Sequence, residues 1–181
     1  KGCQLVFVGH RESDPYGQAV DDAMAEPASG RARITGFTDQ ATYRQWLFAA
    51  DVAVQLRTHS RGETSAAVLD CWNHGLATLV NANGALADLP EDAVVKLQDD
   101  FSDAELASAL EHLHDDKKRR NALGWRGREQ LLKEHHPQRG AAQYVETIER
   151  AYGRSSKTTM GVLNSLRHAR PLLSQQDQTS I

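Results

Sequence analysis

Short apolar runs alternate with amphipathic stretches through the first hundred residues of the chain. Runs such as QLVFVGH and ATLVN, rich in aliphatic and β-branched side chains, predict buried strands. We predict five strands, at residues 4–10, 33–37, 51–56, 77–81 and 94–97. The stretches between them have helical periodicity and predict helices at residues 16–25, 42–50 and 61–74. Because strands alternate with helices without hairpin turns, the pattern predicts an α/β fold with a parallel sheet covered on both faces.

The segment from residue 51 to residue 81 reads as one complete strand, helix and strand unit. Its length matches the 30 or so residues that a parallel unit of this kind needs. Gly75 stands directly after the predicted helix, where glycine commonly ends a helix because it tolerates a left-handed backbone. The central part of the sheet is therefore predicted to be built around this unit.

Beyond the strands, the chain is predicted to be helical. Amphipathic periodicity predicts helices at residues 103–114, 116–133 and 137–152. A length of 181 residues suits one α/β core with an extension. We therefore predict a domain at residues 1–153 and a tail at residues 154–181.

The tail has a patterned middle and a polar end. Apolar residues recur at helical spacing before Pro171 and predict one helix at residues 158–170; they are Met160, Leu163, Leu166 and Ala169. The last stretch, SQQDQTSI, is polar enough to be expected to be disordered. An apolar stripe on this helix would pack against its own domain or against another copy, so self-association through the tail is expected.

Composition and charge exclude several classes of protein. A net charge of −3 provides no overall attraction to nucleic acid or to an anionic membrane. Charged residues interrupt every apolar run, so no transmembrane segment is predicted. The two cysteines have no CxxC spacing, which indicates a reducing compartment, and we expect a cytoplasmic protein.

The common catalytic and nucleotide-binding signatures are missing from the sequence. No GxGxxG follows a strand, no GxxxxGK[ST] occurs, and GETSA is not the GxSxG of an α/β-hydrolase. The close histidine pairs, His112 with His114 and His135 with His136, lack the helical spacing of metal ligands. No metal site and no organic cofactor are predicted.

The stretch RGETSAAVLD contains two acids, Glu63 and Asp70, at the carboxyl end of a predicted parallel strand. In a helix, seven residues turn through about 700° and rise about 10.5 Å, so the two acids would share one face. Small residues stand beside Glu63 at the expected helix N-terminus, where free N–H groups favour an anion; they are Gly62, Thr64 and Ser65. Hydroxyl-binding acids on either side of an anion site suit a nucleotide sugar.

The stretch GETSAAVLDCWNHGLATLVNANG resembles the nucleotide-sugar-binding core of retaining glycosyltransferases of family 4. The likeness lies in the acid pair, the small residues, the glycine, the apolar strand and the glycine-containing loop. The preceding block, RITGFTDQATYRQWLFAADVAVQLR, and the helices after residue 103 are also similar to that family. The resemblance covers residues 5–152 and implies the C-terminal, Rossmann-like half of a GT-B fold.

The resemblance also implies roles for individual residues. It assigns Glu63 to the hydroxyls of the transferred sugar, as the catalytic acid of the site, and Asp70 to the ribose. The distal phosphate would be held around Gly62, Thr64, Ser65 and Ala66, with Arg57 or Arg61 neutralising the diphosphate. The base would lie against Ile34, Thr35, Gly36 and Phe37.

As a member of such a family, the chain would bind a nucleoside-diphosphate sugar and take part in transfer of the sugar to a glycan or another hydroxyl acceptor. The family's opening strand and N-terminal acceptor domain are expected to be absent, so we expect no transfer by this chain alone. Two other functions fit the same residues: a nucleotide-sugar epimerase of GT-B fold and a non-catalytic binding or interaction domain.

Overall fold

The structure, a computed structural model, describes residues 2–11, 13–25 and 29–173, apart from the side chains of residues 29, 155–158 and 165–173. Its strands are β1 (Leu5–Phe7), β2 (Ala32–Ile34), β3 (Val52–Gln55), β4 (Ala77–Asn81) and β5 (Val95–Leu97). Its α-helices are α1 (Pro15–Ala25), α2 (Gln40–Ala49), α3 (Ala66–Asn73), α4 (Asp103–Asp115), α5 (Lys117–Glu134) and α6 (Pro137–Leu173). Short 3-10 turns lie at Ser29–Arg31 and Gly84–Leu86.

All the paired strands are parallel, as the alternation of strands and helices predicted. One sheet has the order β3-β4-β5, with Val52 opposite Ala77 and Leu79 opposite Val95. The other pairs β1 with β2, and here the structure differs from the single sheet that was predicted. After β2 the chain turns at Gly36, which has a φ of +72°, so the ladder of this strand ends after three residues.

Strand β4 forms the centre of the core, and all five of its residues are buried. Val80 packs with Val68 and Trp72 of α3 on one face of the sheet. Leu79 packs on the other face with Leu113 of α4. The prediction of helices on both faces is confirmed, and burial on both sides explains why ATLVN is an unbroken apolar run.

Helix α3 is shorter than predicted, and this changes the geometry of the acid pair. Its N-cap is Ser65, whose side chain accepts a hydrogen bond from the backbone N–H of Val68. Gly62 has a φ of +85°, which no helical residue adopts, so Glu63 lies in the loop ahead of the helix. The prediction that Glu63 and Asp70 share one helical face is therefore wrong.

Helix α5 crosses the end of α3 at very short range. A Cβ added to Gly124 would lie 1.8 Å from the carbonyl oxygen of Gly75, and one added to Gly127 would lie 2.4 Å from Cδ1 of Trp72. Gly75 itself follows the helix with a φ of +69°, as predicted for a glycine at a helix end. Because Gly124 and Gly127 have no side chains, α5 can approach the C-terminal end of α3 this closely.

The chain divides into two compact units, at residues 1–131 and 132–181. Helix α6 belongs to the second unit and runs continuously where two helices were predicted, at residues 137–152 and 158–170. The helix includes Pro171 and is described to Leu173, so the predicted end at residue 170 is wrong. The tail predicted from residue 154 begins within this helix. The stretch SQQDQTSI, predicted to be disordered, lies outside the described residues.

None of the helices in the described ranges is both long enough and apolar enough to cross a membrane.

Candidate functional site

Three loops follow the carboxyl ends of β3, β4 and β5, and the first two are packed against each other. Ser60 in the first loop lies so close to Gly84 in the second that a Cβ added to this glycine would stand 2.1 Å from Cβ of Ser60. Open α/β folds bind their ligands at this carboxyl edge. The candidate site is therefore the edge formed by residues 56–65, 81–84 and 99.

Arg57, two residues after β3, joins the loop to the start of α3. Its Nη1 donates to Oε1 of Glu63 at 2.8 Å, and its Nη2 donates to Oγ of Ser65 at 3.1 Å. The structure thus brings together three of the predicted site residues around one guanidinium group. Arg57 is only partly exposed, and its two hydrogen bonds hold its charge at a defined point of the carboxyl edge.

Glu63 presents a negative charge at this edge. Its Oε2 accepts the backbone N–H of Arg61 at 2.7 Å. The pKa of this carboxyl is lowered mainly by the backbone N–H groups of Glu63 itself and of Arg61. The positive charge of Arg57 lowers it further. The side chain is still 52% exposed, so an ionised carboxylate that is fixed in place remains open to a ligand.

The N-terminus of α3 lies directly beside this carboxylate. The N–H groups of the first turn have no partner within a helix, and the helix dipole favours an anion there. Thr64 and Ala66 flank the buried cap residue Ser65 and are exposed, and the N–H of Gly62 donates to Oγ of Ser60. The side chain of Arg61 is exposed on the same loop.

Asn81, at the end of β4, is a site residue that the sequence analysis missed. The residue is 2% exposed, and its side-chain amide hydrogen-bonds to both the backbone N–H and the backbone carbonyl oxygen of Arg57. Oδ1 accepts the N–H of Arg57 at 2.8 Å, while Nδ2 donates to the carbonyl oxygen of Arg57 at 2.7 Å. The amide therefore continues the β3–β4 pairing beyond the strands and fixes the backbone that carries the guanidinium.

Asp99, two residues after the end of β5, completes this hydrogen-bond network. Its Oδ1 accepts from Nδ2 of Asn81 at 2.7 Å, and its Oδ2 accepts from Nδ2 of Asn83 at 3.0 Å. Within the described residues, Oδ1 of Asn83 is buried without a hydrogen-bond partner. The available signal in the sequence was a set of polar residues at the ends of two apolar strands, in NANG and in LQDD.

Asp70 lies apart from the Arg57 network. It is exposed on α3 and lines a groove of about 360 Å³ between α2 and α3. Tyr43 lines the same groove. Burial raises the pKa of Tyr43 to about 12, and the nearby charge of Asp70 adds to this increase. The two predicted acids thus lie in separate places, Glu63 in the loop ahead of α3 and Asp70 on the helix itself.

The residues predicted to line the base lie at the carboxyl end of β2. The N–H of Thr35 donates to the carbonyl oxygen of Phe7, and Oγ1 of Thr35 accepts the N–H of Gly9 at 3.2 Å. Gly36 makes the turn, and Phe37 after it is 86% exposed. These contacts hold a rigid loop that presents an aromatic ring to solvent.

Among the side chains that the structure describes, no three His, Cys, Asp or Glu residues come close enough together to hold a metal ion.

Several solved structures have a fold similar to that of this chain. The sucrose-phosphate synthase of Thermosynechococcus elongatus has a TM-score of 0.70 at 20% identity, over 83% of this chain and 39% of the synthase. The Anabaena protein HepE, in complex with UDP-glucose, has a TM-score of 0.71 at 13% identity, over 81% of this chain and 41% of HepE. The C-terminal domain of the Francisella tularensis glycosyl transferase LpcC has a TM-score of 0.55 at 17% identity, over 67% of this chain and 65% of that one.

These likenesses identify the fold as that of the C-terminal domain of GT-B glycosyltransferases, as the family resemblance implied. The chain spans about two fifths of the length of the synthase and of HepE.

Sequence comparison identifies the family directly. No curated protein is significantly similar in sequence to this chain. The model of the glycosyl transferase-like family matches residues 2–146, which include every strand and the whole Arg57 network. Because the match extends over most of the chain, this protein belongs to the glycosyl transferase-like family.

Proposed function

We propose that this chain is the nucleotide-sugar-binding domain of a retaining glycosyltransferase of family 4. The observation that carries the proposal is the Arg57 guanidinium held between Glu63 and the N-cap Ser65 at the carboxyl edge of the sheet. An arginine and a helix N-terminus suit a diphosphate. An exposed carboxylate suits the hydroxyls of a sugar. HepE, which has the same fold, has been solved with UDP and with UDP-glucose.

In this proposal the diphosphate lies at the N-terminus of α3. The N–H groups around Ala66 and the small residues Gly62, Thr64 and Ser65 hold the distal phosphate, and Arg57 and Arg61 supply positive charge. These donors also stabilise the charge that develops on the diphosphate as it leaves, which is where fixed dipoles lower a barrier most. Neither a metal ion nor an organic cofactor is needed for this.

Glu63 accepts the hydroxyls of the transferred sugar. Its carboxylate is held from one side by Arg57 and by the N–H of Arg61, so its exposed side faces the ligand in a fixed orientation. A carboxylate in a fixed orientation holds the bound sugar so that its anomeric carbon lies above the departing diphosphate. The hydroxyl oxygen of the sugar acceptor then bonds to the anomeric carbon on the face that the diphosphate leaves, as the bond from that carbon to the diphosphate oxygen breaks. The hydroxyl proton passes to the departing diphosphate oxygen, and the anomeric configuration is retained.

The acceptor is a glycan or another hydroxyl compound, which suits an enzyme of polysaccharide biosynthesis in the cytoplasm. We propose that a separate N-terminal domain binds the acceptor and covers the cleft. This chain alone is then expected to bind a nucleotide sugar without transferring it, because in this proposal the second domain excludes water from the reacting carbon.

A thermal-shift screen of UDP, GDP and ADP sugars against the 181-residue chain tests the proposal. One nucleotide should raise the melting temperature, and Arg57→Ala should abolish the effect. Arg126→Ala is the matched control, because Arg126 is also paired with a half-exposed glutamate, Glu129, but on α5. A chain that binds none of these nucleotides, or an equal loss in both variants, would contradict the proposal.

Product analysis with a protein that carries both domains identifies the reaction. A glycoside formed from donor and acceptor, with the anomeric configuration of the donor, is the expected product. An isomerised donor formed without any acceptor would instead identify an epimerase, and an inverted glycoside would exclude the retaining mechanism. Turnover by the 181-residue chain alone would contradict the need for a second domain.

A further inference from the structure

Asp99 holds two asparagine side chains at once, and each of them leads to a different part of the candidate site. Asp99 is exposed in the turn after β5, and its two carboxylate oxygens accept hydrogen bonds from two amide groups. Oδ1 accepts from Asn81 at 2.7 Å, and Oδ2 accepts from Asn83 at 3.0 Å. Asp99 therefore connects the turn after β5 to the end of β4 and to the loop that follows it.

The contact with Asn81 determines which way the amide of this residue faces. Asn81 is buried, and its Nδ2 donates both to the carbonyl oxygen of Arg57 and to Asp99. Because a carboxylate only accepts hydrogen bonds, Nδ2 and not Oδ1 has to face Asp99. In this orientation Oδ1 accepts the backbone N–H of Arg57 at 2.8 Å. The carboxylate thus selects the amide orientation that holds the Arg57 backbone.

The contact with Asn83 holds the second loop of the site against the first. Gly84, the next residue, packs directly against Ser60, and Oγ of Ser60 accepts the N–H of Gly62 at 3.1 Å. Gly62 stands in the loop that leads to the N-terminus of α3. Asp99 therefore supports both the backbone that carries the guanidinium and the loop ahead of the helix.

One observation distinguishes this network from ordinary packing. Because Nδ2 of Asn83 faces Asp99, Oδ1 of Asn83 is buried without a hydrogen-bond partner among the described residues. A buried acceptor without a partner lowers stability, and such groups are rare in folded proteins. Departures of this kind from the rules for a stable fold are expected at functional sites. Function therefore explains this arrangement better than stability alone.

We propose that Asp99 is a positioning residue for nucleotide-sugar binding: through the Asn81 amide it fixes the backbone of Arg57, so that the guanidinium stands where the diphosphate binds. This inference rests on the proposed function, since it concerns the diphosphate of the same donor. It assigns to an acid a favourable effect on the binding of an anion. Because Asp99 is exposed, solvent and salt screen its repulsion of the diphosphate, whereas its hydrogen bonds act at short range.

Calorimetry with UDP, or with the nucleoside diphosphate that the thermal-shift screen identifies, tests this role. Asp99→Ala should weaken binding by about threefold to tenfold, the worth of one hydrogen bond. Asp100→Ala is the matched control, because it removes the same charge at the next residue, which is exposed and outside the network. This control should leave the affinity unchanged or raise it slightly, because it removes only a repulsion. Positioning and simple charge removal thus predict different results.

Asp99→Asn separates the acceptor oxygen from the charge. The oxygen of the new amide can still accept from Nδ2 of Asn81, and the amide of Asn83 can reverse to meet the new N–H. The affinity should therefore stay within about twofold of the wild type, because both hydrogen bonds are kept.

Nuclear magnetic resonance of the unliganded chain distinguishes positioning from a general loss of stability. In Asp99→Ala the amide proton of Arg57 should move upfield, because its hydrogen bond to Asn81 weakens. The same resonance should stay in place in Asp100→Ala. A loss of stability that did not pass through Asn81 would leave this resonance unchanged.

The possible failures are distinguishable. Wild-type affinity in Asp99→Ala, an equal change in Asp100→Ala, or an unshifted Arg57 amide would overturn the positioning role while nucleotide binding stands. A loss in Asp99→Asn as large as that in Asp99→Ala would overturn it as well, because the charge and not the acceptor oxygen would then matter. Absence of binding by the wild-type chain would overturn the proposed function together with this inference.

Discussion

The Glu63 carboxylate is oriented by two donors, the guanidinium of Arg57 and the backbone N–H of Arg61. The family resemblance placed Arg57, Glu63 and Ser65 in one site, and the structure joins them by hydrogen bonds. The sequence could not predict that Asn81 holds the Arg57 peptide, because that contact spans 24 residues and depends on the pairing of β3 with β4.

At this scale, Glu63→Gln in a protein that carries both domains should lower kcat by more than tenfold, a loss above ~1.4 kcal/mol of transition-state stabilisation. Glutamine keeps the shape of the side chain but removes the charge and one acceptor oxygen. Steady-state kinetics measures the effect, with Glu129→Gln as the matched control, since Glu129 is also half-exposed and paired with an arginine. Retention of more than a tenth of the wild-type kcat would exclude a direct role for Glu63.

Asn81→Ala should destabilise the first unit by about 1 to 3 kcal/mol, because the partly buried backbone N–H and carbonyl oxygen of Arg57 both lose their hydrogen-bond partner. Urea unfolding measures the change. Asn73→Ala, at an exposed asparagine at the end of α3, should stay within about 0.5 kcal/mol of the wild type. Similar stabilities for the two variants would show that the amide of Asn81 contributes nothing specific.

At the scale of elements, the sequence predicted each strand and helix of the first unit, and it predicted β4 at its observed bounds. It missed the start of α3, because the apolar spacing in GETSAAVLD is compatible with a helix from residue 61 or from residue 66. The backbone determines that the helix starts at residue 66, because Gly62 adopts a left-handed conformation and Ser65 caps the first turn. The second difference, one long α6, arises because GRSSK contains no proline and Gly153 does not adopt the positive φ with which a glycine ends a helix.

The contact of α5 with the end of α3 gives a prediction at this scale. Gly124→Ala should lower stability by about 1 to 3 kcal/mol, as overpacking usually does, because the new methyl group would overlap the carbonyl group of Gly75. Gly140→Ala in α6 is the control: nothing lies within 4 Å of the added Cβ, and alanine favours a helix. Thermal unfolding followed by circular dichroism should show a lower midpoint for the first variant only. A midpoint for Gly124→Ala at or above that of the wild type would contradict this packing.

At the scale of the whole molecule, helix α6 carries apolar side chains that are exposed in the single chain. They are Tyr144, Val145, Ile148, Tyr152, Met160, Val162 and Leu163. Met160 and Leu163 belong to the stripe predicted from the sequence, whereas the side chains of Leu166 and Ala169 lie outside the description. Exposed apolar side chains along one helix favour association.

We therefore expect the 181-residue chain to self-associate, with Leu163→Glu shifting the equilibrium toward the monomer. Sedimentation velocity over a range of concentrations measures this equilibrium. Gln143→Glu is the control, because it adds the same charge to α6 at a polar position. A chain that stays monomeric at every concentration, or two variants that behave alike, would contradict association through this helix.

The central claim is that the N-terminus of α3, with Arg57 and Glu63, binds a nucleotide sugar. Amide chemical shifts in a titration of the 181-residue chain with UDP-glucose, or with the donor that the screen identifies, test this claim most directly. The account predicts saturable shifts at the N–H groups of residues 62–67 and at Nε of Arg57, with the shifts at Glu63 and Thr64 larger for the nucleotide sugar than for the nucleotide alone. Saturable shifts confined to other parts of the chain, or none at all, would contradict it.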